Sequence, residues 1–168
     1  MSTPHTNSNE STVNERVDTD GRSATMRRQL CTFTLDGLYF GIEVEKVQEV
    51  IRHQQMTSVP LADPVVHGLI NLRGQIVTAI DLRTRLSLTP RAEGELPMNV
   101  VVRTEDGPVS LLVDRIGDVV EVDDEWFERP PDTLQSNARE LITGAFKLDG
   151  QLLLVLDMDR SVQVEPAR

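Results

Sequence analysis

Few residues in this chain have the types and spacing that enzyme chemistry requires. The three histidines, His5, His53 and His67, have no partner one helical turn away that would make a metal-binding pair. Cys31 is the only cysteine, and its alternating apolar neighbours are typical of a buried strand thiol, not of a nucleophile. Motifs for nucleotide binding, zinc hydrolysis and serine hydrolysis are absent. We therefore predict no catalytic residue, no metal site and no cofactor.

The side chain best suited to recognition is Arg73, in the turn Asn-Leu-Arg-Gly at residues 71–74. Its guanidinium is planar and always charged, and it can donate two parallel hydrogen bonds. Two roles are open. Arg73 could form a surface ion pair, with Glu49 as the expected partner, or it could anchor a protein interface, where arginine is over-represented. Val47 raises the same question, because its strand would turn one side chain outward in a small barrel.

The turn belongs to a passage that occurs twice, and a second repeated passage precedes it in both copies. The paired segments are residues 68–82 with 144–158, and residues 40–51 with 109–120. A duplicated module whose two halves share a fold accounts for both pairs. Function should then lie where the halves differ. The clearest difference is at the turn, where Asp149 takes the place of Arg73.

Composition restricts the class of protein. The chain has 168 residues, a net charge of -10 and a pI of about 4.7, which argues against nucleic acid as a partner and favours proteins. A single cysteine allows no internal disulfide and indicates a reducing compartment. No apolar run approaches the roughly 18 residues that span a bilayer, and no signal core is present. We expect a cytoplasmic protein with no direct membrane insertion.

The chain divides into a tail and one domain. Residues 1–28 are polar with few large apolar side chains, and we expect them to be disordered. We predict a folded domain over residues 29–162, with the boundary between its halves near residues 87–97. A short C-terminal tail would follow over residues 163–168.

Within the domain, short runs rich in Val, Ile and Leu are separated by Gly, Asp and Pro, which is typical of β-strands and tight turns. Asp81 and Asp157 follow the two repeated apolar hairpins and are expected to cap short helices. Residues 123–139 form an exposed connection whose aromatic pair, Trp126 and Phe127, folds back onto the core. The pattern predicts two small barrels of about five strands each, since closure removes exposed strand edges. Strands could also be exchanged between the halves.

Three segments resemble the CheW family of bacterial chemotaxis proteins. They are residues 40–50, residues 68–77 together with 81–82, and residues 141–144. The resemblance extends from residue 30 to about residue 160. It implies an all-β fold with two pseudo-symmetric, five-stranded SH3-like β-barrels around a common core, with short helices.

The resemblance also implies a function. Proteins of this family are non-catalytic adaptors that join the cytoplasmic tips of transmembrane chemoreceptors, the methyl-accepting chemotaxis proteins, to the regulatory domain of a CheA-type histidine kinase. Such an adaptor would be recruited to membrane-associated receptor arrays. By motif, the expected receptor-binding residues are Val47, Glu49, Asn71, Arg73 and Gly74. The expected kinase-binding residues are Ile76, Val100 and Val102.

Two alternatives stay open at this stage. The first is a CheW-like adaptor of a paralogous pathway, serving surface motility or a second messenger, which the motifs do not separate from chemotaxis. The second is a small-ligand-binding or enzymatic β-barrel with a pocket between the halves, lined by Arg73 and Asp81.

Overall fold

The structure is a computed structural model that describes residues 26–164. Most of the expected N-terminal tail and most of the expected C-terminal tail therefore lie outside the described residues. The first strand begins at Arg27, so Arg27 and Arg28, which the sequence pattern assigned to the tail, belong to the folded domain.

Eleven strands and three short helices make up the described part of the chain. The first half forms β1 (Arg27–Leu35), β2 (Leu38–Glu43), β3 (Val47–Ile51), β4 (Val66–Leu72), β5 (Gln75–Asp81) and α1 (Leu82–Arg85). The second half forms β6 (Met98–Thr104), β7 (Gly107–Val113), β8 (Arg115–Asp123), β9 (Phe127–Glu128), α2 (Ser136–Leu141), β10 (Ile142–Leu148), β11 (Gln151–Leu156) and α3 (Met158–Ser161). Single 3₁₀ turns cover Val44–Lys46 and Asp124–Trp126.

The two halves exchange strands. One sheet has six strands in the order β8-β1-β2-β11-β10-β9, and the other has five in the order β3-β6-β7-β5-β4. Each sheet takes the opening hairpin of one half and the later strands of the other half. Four pairings make the exchange, the parallel pairs β2 with β11 and β5 with β7 and the antiparallel pairs β1 with β8 and β3 with β6. The remaining pairs join strands of the same half and are antiparallel.

A common core lies between the sheets, as the family resemblance implied. It includes Phe33 and Phe40 from the six-stranded sheet and Ile80 and Leu111 from the five-stranded sheet, all at most 2% exposed. The rings of Phe33 and Phe40 stack with their centroids 5.9 Å apart. The aliphatic alternation of the strands places these side chains on the inner faces, and burial of their apolar surface drives the association of the sheets.

The connection over residues 123–139 differs from the prediction. It contains β9 and the start of α2, which its polar composition did not indicate. Phe127 does fold back, and its ring lies 5.2 Å from that of Phe146. Trp126 does not, because it is 62% exposed. Within residues 26–164 the longest helix has six residues, so no described helix could span a membrane.

The exchange of strands predicts that the two halves are not independent. Two fragments made by cutting the chain at Gly94, in the exposed loop between the halves, should each fail to fold, because each supplies only part of either sheet. Mixing them should restore a β-sheet circular dichroism spectrum and a cooperative melting transition. A cooperative transition in either fragment alone would contradict the shared-sheet arrangement.

Candidate protein-interaction surface

In the hairpin turn between β4 and β5, an arginine adopts a backbone conformation that is uncommon for residues other than glycine. Leu72 pairs with Gln75, so the loop consists of Arg73 and Gly74, with φ angles of 53° and 84°. Both values lie in the left-handed region, which suits the twist of a two-residue hairpin but is rare for a side chain such as arginine. The side chain of Asn71 accepts a hydrogen bond from the Gly74 N–H at 2.9 Å. Asn71 and Gly74 thus shape the turn that displays Arg73.

Arg73 forms the ion pair that the sequence predicted. Its two terminal nitrogens donate to the two carboxylate oxygens of Glu49 at 2.8 and 2.7 Å. The Arg73 side chain is 73% exposed, and that of Glu49 is 19% exposed. The hydrogen bond from Arg73 lowers the pKa of Glu49, and the same bond raises the pKa of Arg73. Both groups therefore stay charged at the surface.

This ion pair joins opposite edges of the five-stranded sheet. Glu49 lies on edge strand β3, and Arg73 follows edge strand β4. The six-stranded sheet is joined differently, since the chain passes from β8 through one 3₁₀ turn into β9, which pairs with β10. The edge strands of one sheet are thus joined by the chain itself, and those of the other by charged side chains that a partner can reach.

The remaining residues that were predicted to contact a partner differ in how exposed their side chains are. Val47 is half-buried and packs against the common core. Ile76, two residues after the turn, is 61% exposed. Val100 and Val102 lie on β6 and are 1% and 0% exposed, so they have no surface to offer a kinase, and their assignment as direct contacts is corrected here. Val100 pairs with Val50 and Val102 pairs with Val47 on β3. They therefore belong to the strand that holds the edge strand β3 in the sheet.

The two carboxylates at equivalent places in the repeat are helix caps, as predicted. Asp81 accepts a hydrogen bond from the Arg83 N–H at 3.0 Å, and Asp157 accepts one from the Arg160 N–H at 3.1 Å. Asp81 also lies 3.8 Å from Arg91. Arg73 and Asp81 have different partners, so no contact in the described residues brings them into one pocket.

The structure contains an ion-pair cluster around Asp114 that no pattern in the sequence had indicated. The Nε atom of Arg83 and the Nη2 atom of Arg91 both donate to Asp114 Oδ1, at 2.9 and 3.0 Å. The two arginine side chains are 10% and 9% exposed. The backbone N–H of Asp36 adds a bond of 2.8 Å to the other carboxylate oxygen. The cluster ties α1, the loop between the halves and two strand turns together.

Opposing effects set the pKa of Asp114. Burial is the largest single effect and raises the pKa, but hydrogen bonds from Arg83, from the Asp36 N–H and from Arg91 lower it. Together the hydrogen bonds outweigh the effect of burial, so the pKa of Asp114 lies below its ordinary value. The hydrogen bond to Asp114 in turn raises the pKa of Arg83.

Other titratable groups give little indication of chemistry. Burial raises the pKa of the Cys31 thiol, and this side chain is half-buried against the common core, in keeping with a structural role. Among residues 26–164 no group of three His, Cys, Asp or Glu side chains is arranged to hold a metal ion. His5 lies outside the described residues.

The fold and this surface define an all-β domain of two SH3-like sheets with a charged hairpin displayed at a sheet edge. The family model for the CheW-like domain matches residues 29–165, and the chain belongs to that family.

Relatives support the assignment over most of the chain. The chain is 30% identical to the chemotaxis protein CheW of Treponema pallidum over 136 residues, which cover 79% of this chain and 80% of that protein. It is 28% identical to the chemotaxis protein CheW of Bacillus subtilis over 140 residues, with coverage of 83% and 90%. The crystal structure of the scaffolding protein TtCheW from Thermoanaerobacter tengcongensis superposes with a TM-score of 0.74 at 24% identity, covering 85% of this chain and 98% of that one. The last comparison shows the fold.

The Asp114 cluster predicts a pH dependence of stability. Because the pKa is lowered in the fold, Asp114 stabilises the protein above its ordinary pKa of about 4, and this contribution is lost as the pH falls through the folded value. Asp114→Asn should lower the free energy of unfolding at pH 7 by about 3 kcal/mol, since it removes the carboxylate that hydrogen-bonds two buried arginines. Denaturant titrations between pH 3 and pH 7 measure both effects.

A matched control is Asp132→Asn. Asp132 also bonds an arginine, Arg139, but its side chain is 97% exposed, so the substitution should change stability by less than about 1 kcal/mol. Equal losses in the two variants, or a wild-type stability that does not fall in acid, would contradict the role given to Asp114.

Proposed function

We propose that this chain is a non-catalytic adaptor that joins the cytoplasmic tips of transmembrane chemoreceptors to a CheA-type histidine kinase. Membership of the CheW-like family supports it, as do the relatives named as chemotaxis proteins and the structural neighbour titled a scaffolding protein. An adaptor of this kind works in the cytoplasm and is recruited to receptor arrays at the membrane.

The observation that carries the proposal is the exposed, two-pronged pair between Arg73 and Glu49. Such a pair is held in one geometry by both hydrogen bonds, yet most of the Arg73 side chain stays exposed to a partner. It occurs in only one copy of the repeat, where the halves differ in charge. Asn71 and Gly74 set the turn, and half-buried Val47 supports β3 from the core side. We assign this edge to the receptor.

We assign the kinase-binding surface to Ile76 and its surroundings. Ile76 is the first large apolar side chain after the turn and is 61% exposed, so it can bury apolar area against a partner. Val100 and Val102 are excluded as contacts because they are buried. An adaptor needs two surfaces that can be occupied together, and the charged turn and the apolar side chain differ in the partners that they would attract.

Two alternatives receive less support. A CheW-like adaptor of a paralogous motility or second-messenger pathway would use the same surfaces, and its receptors and kinase would be different ones. A ligand-binding barrel with Arg73 and Asp81 in one pocket is disfavoured, because Arg73 pairs with Glu49 at a hairpin tip while Asp81 caps α1.

The receptor assignment predicts the behaviour of charge variants. Arg73→Ala should weaken binding to a soluble fragment of the receptor tip by at least about tenfold, as expected for an interface arginine, with the melting temperature nearly unchanged. The double exchange of Arg73→Glu with Glu49→Arg keeps an ion pair between the sheet edges but alters the charge displayed, so it should not restore binding. Isothermal titration calorimetry measures both.

The matched control is Arg139→Ala, which removes another exposed arginine that bonds an aspartate, Asp132, and should leave receptor binding unchanged. Restoration of binding by the double exchange would mean that Arg73 acts only by joining β3 to β4. An equal loss of binding and of melting temperature in Arg73→Ala would also remove Arg73 from the interface.

A further inference from the structure

The edge strand β3 contains a β-bulge between two residues of the edge that we assign to the receptor. Val47 pairs with Val102 and Glu49 pairs with Val101, so two steps along β3 match one step along β6. The extra residue is Gln48. Successive side chains of a regular strand point to opposite faces, and paired residues of neighbouring strands share a face. Without the bulge, Val47 and Glu49 would therefore lie on the same face of the sheet.

The bulge determines which way Glu49 faces. Val102 belongs to the common core, whereas Val101, next to it along β6, is buried on the opposite face. Val47 is the partner of Val102 and packs against the common core. Glu49 is the partner of Val101, and on that face its two carboxylate oxygens accept the hydrogen bonds from Arg73. The exposed ion pair therefore depends on the bulge.

Arg103, the residue after Val102 on β6, binds the backbone on one side of the bulge. Its Nη1 atom donates hydrogen bonds to the carbonyl oxygen of Glu45 at 3.0 Å and to that of Val47 at 3.2 Å. Glu45 lies in the 3₁₀ turn before β3, and Val47 is the first residue of β3. One guanidinium therefore spans the point at which the turn becomes the strand, directly before the bulge.

The second copy of the repeat has a bulge at the corresponding place, where β8 pairs with β1. There the hydroxyl of Thr32 donates a hydrogen bond to the carbonyl oxygen of Asp118, the residue that corresponds to Glu49 in the repeat. In the first copy the place of Thr32 is taken by Val101 on β6, which has no hydroxyl to donate. The bulge is therefore common to both copies, and each copy stabilises it with a different bond from a side chain to the backbone.

We propose that Arg103 is a positioning residue for the receptor-binding edge. Its bonds to the backbone before the bulge keep Val47 turned to the common core and Glu49 turned to Arg73, although Arg103 itself takes no part in the ion pair. In naming the receptor, the inference rests on the proposed adaptor function. Its effect on the Glu49 carboxylate can be measured without a receptor.

The pKa of Glu49 is the first readout. The hydrogen bond and the charge of Arg73 lower this pKa, so a strand that is no longer held by Arg103 should bring it back towards its ordinary value. We expect this rise in Arg103→Met, measured by carbon-13 nuclear magnetic resonance of the Glu49 carboxyl group during a pH titration of the full chain. An unchanged pKa of Glu49 in this variant would overturn the inference.

Receptor binding is the second readout. Arg103→Met should weaken binding to the soluble fragment of the receptor tip by at least about fivefold, as expected when an interface side chain loses its position. Arg103→Lys should bind within about twofold of the wild-type chain, because one ammonium nitrogen can donate to two carbonyl oxygens as the Nη1 atom does. Thermal melting checks that both variants fold. If Arg103→Lys loses as much binding as Arg103→Met, the role given to these two bonds is wrong.

The matched control is Arg160→Met. Arg160 is also exposed and also donates to a backbone carbonyl oxygen, that of Glu140, but it follows the hairpin of the other sheet. Its replacement should change neither receptor binding nor the pKa of Glu49. Equal effects of Arg160→Met and Arg103→Met would contradict a specific role for Arg103.

A double-mutant cycle tests whether Arg103 acts through the ion pair. Once Arg73→Ala is present, Arg103→Met should cost little further affinity, because the effects of residues that act through one another are not additive. Fully additive losses would mean that Arg103 contacts the receptor itself, and its positioning role would be wrong.

The outcomes separate this inference from the proposed function. If the wild-type chain and Arg103→Met bind the receptor fragment equally, the positioning role is wrong and the adaptor function stands. If the wild-type chain binds neither receptor fragment nor kinase while the pKa of Glu49 still rises in Arg103→Met, the adaptor function is wrong and the positioning of Glu49 by Arg103 stands.

Discussion

Four strand pairings are the interactions on which the rest of this structure depends: the parallel pairs β2 with β11 and β5 with β7, and the antiparallel pairs β1 with β8 and β3 with β6. They cross between the halves of the chain, so each sheet is completed by strands from far along the sequence. The inner faces of both sheets then meet in one apolar core. The buried Asp114 cluster adds a polar link among turns of both halves. Since the halves share their sheets and their core, they form one structural unit.

The duplicated fold makes its asymmetries informative. A feature that the fold itself requires should occur twice, as the capping carboxylates Asp81 and Asp157 do. The sheet edges differ between the copies. The edge strands of the six-stranded sheet, β8 and β9, are consecutive in the chain, whereas those of the five-stranded sheet are joined by Arg73 with Glu49. This difference leaves the five-stranded sheet with an exposed charged turn that a partner can reach.

Much of the fold could be predicted from the sequence, because its signals are local. Short aliphatic runs separated by turn residues predicted β-strands and tight turns, and the structure has eleven strands in the described part of the chain. Strand order was not determined, since the exchange depends on pairings between residues far apart in the chain. The repeat itself was visible, and it indicated the equivalence of the two halves that the structure displays.

The candidate site was predictable only in part. Arg73 with Glu49 could be inferred from charge and turn chemistry. Val100 and Val102 were misassigned because β6 is buried on both faces, and a continuous apolar run carries no period that marks an outward side chain. The packing of residues 133–138 against the core was missed because this segment is mostly polar and only Leu134 and Ala138 face the core. The Asp114 cluster joins residues 31 and 23 positions apart, which no local pattern records.

The most direct test of the adaptor function is the incorporation of phosphate by a cognate CheA-type kinase, with receptor fragments, in the presence and absence of the full chain. The account predicts that the chain raises receptor-dependent kinase activity, and that Arg73→Ala fails to do so while keeping the wild-type melting temperature. Kinase activity that is the same with and without the chain, together with no binding to kinase or receptor, would contradict it. The fold would then be that of the family without its function.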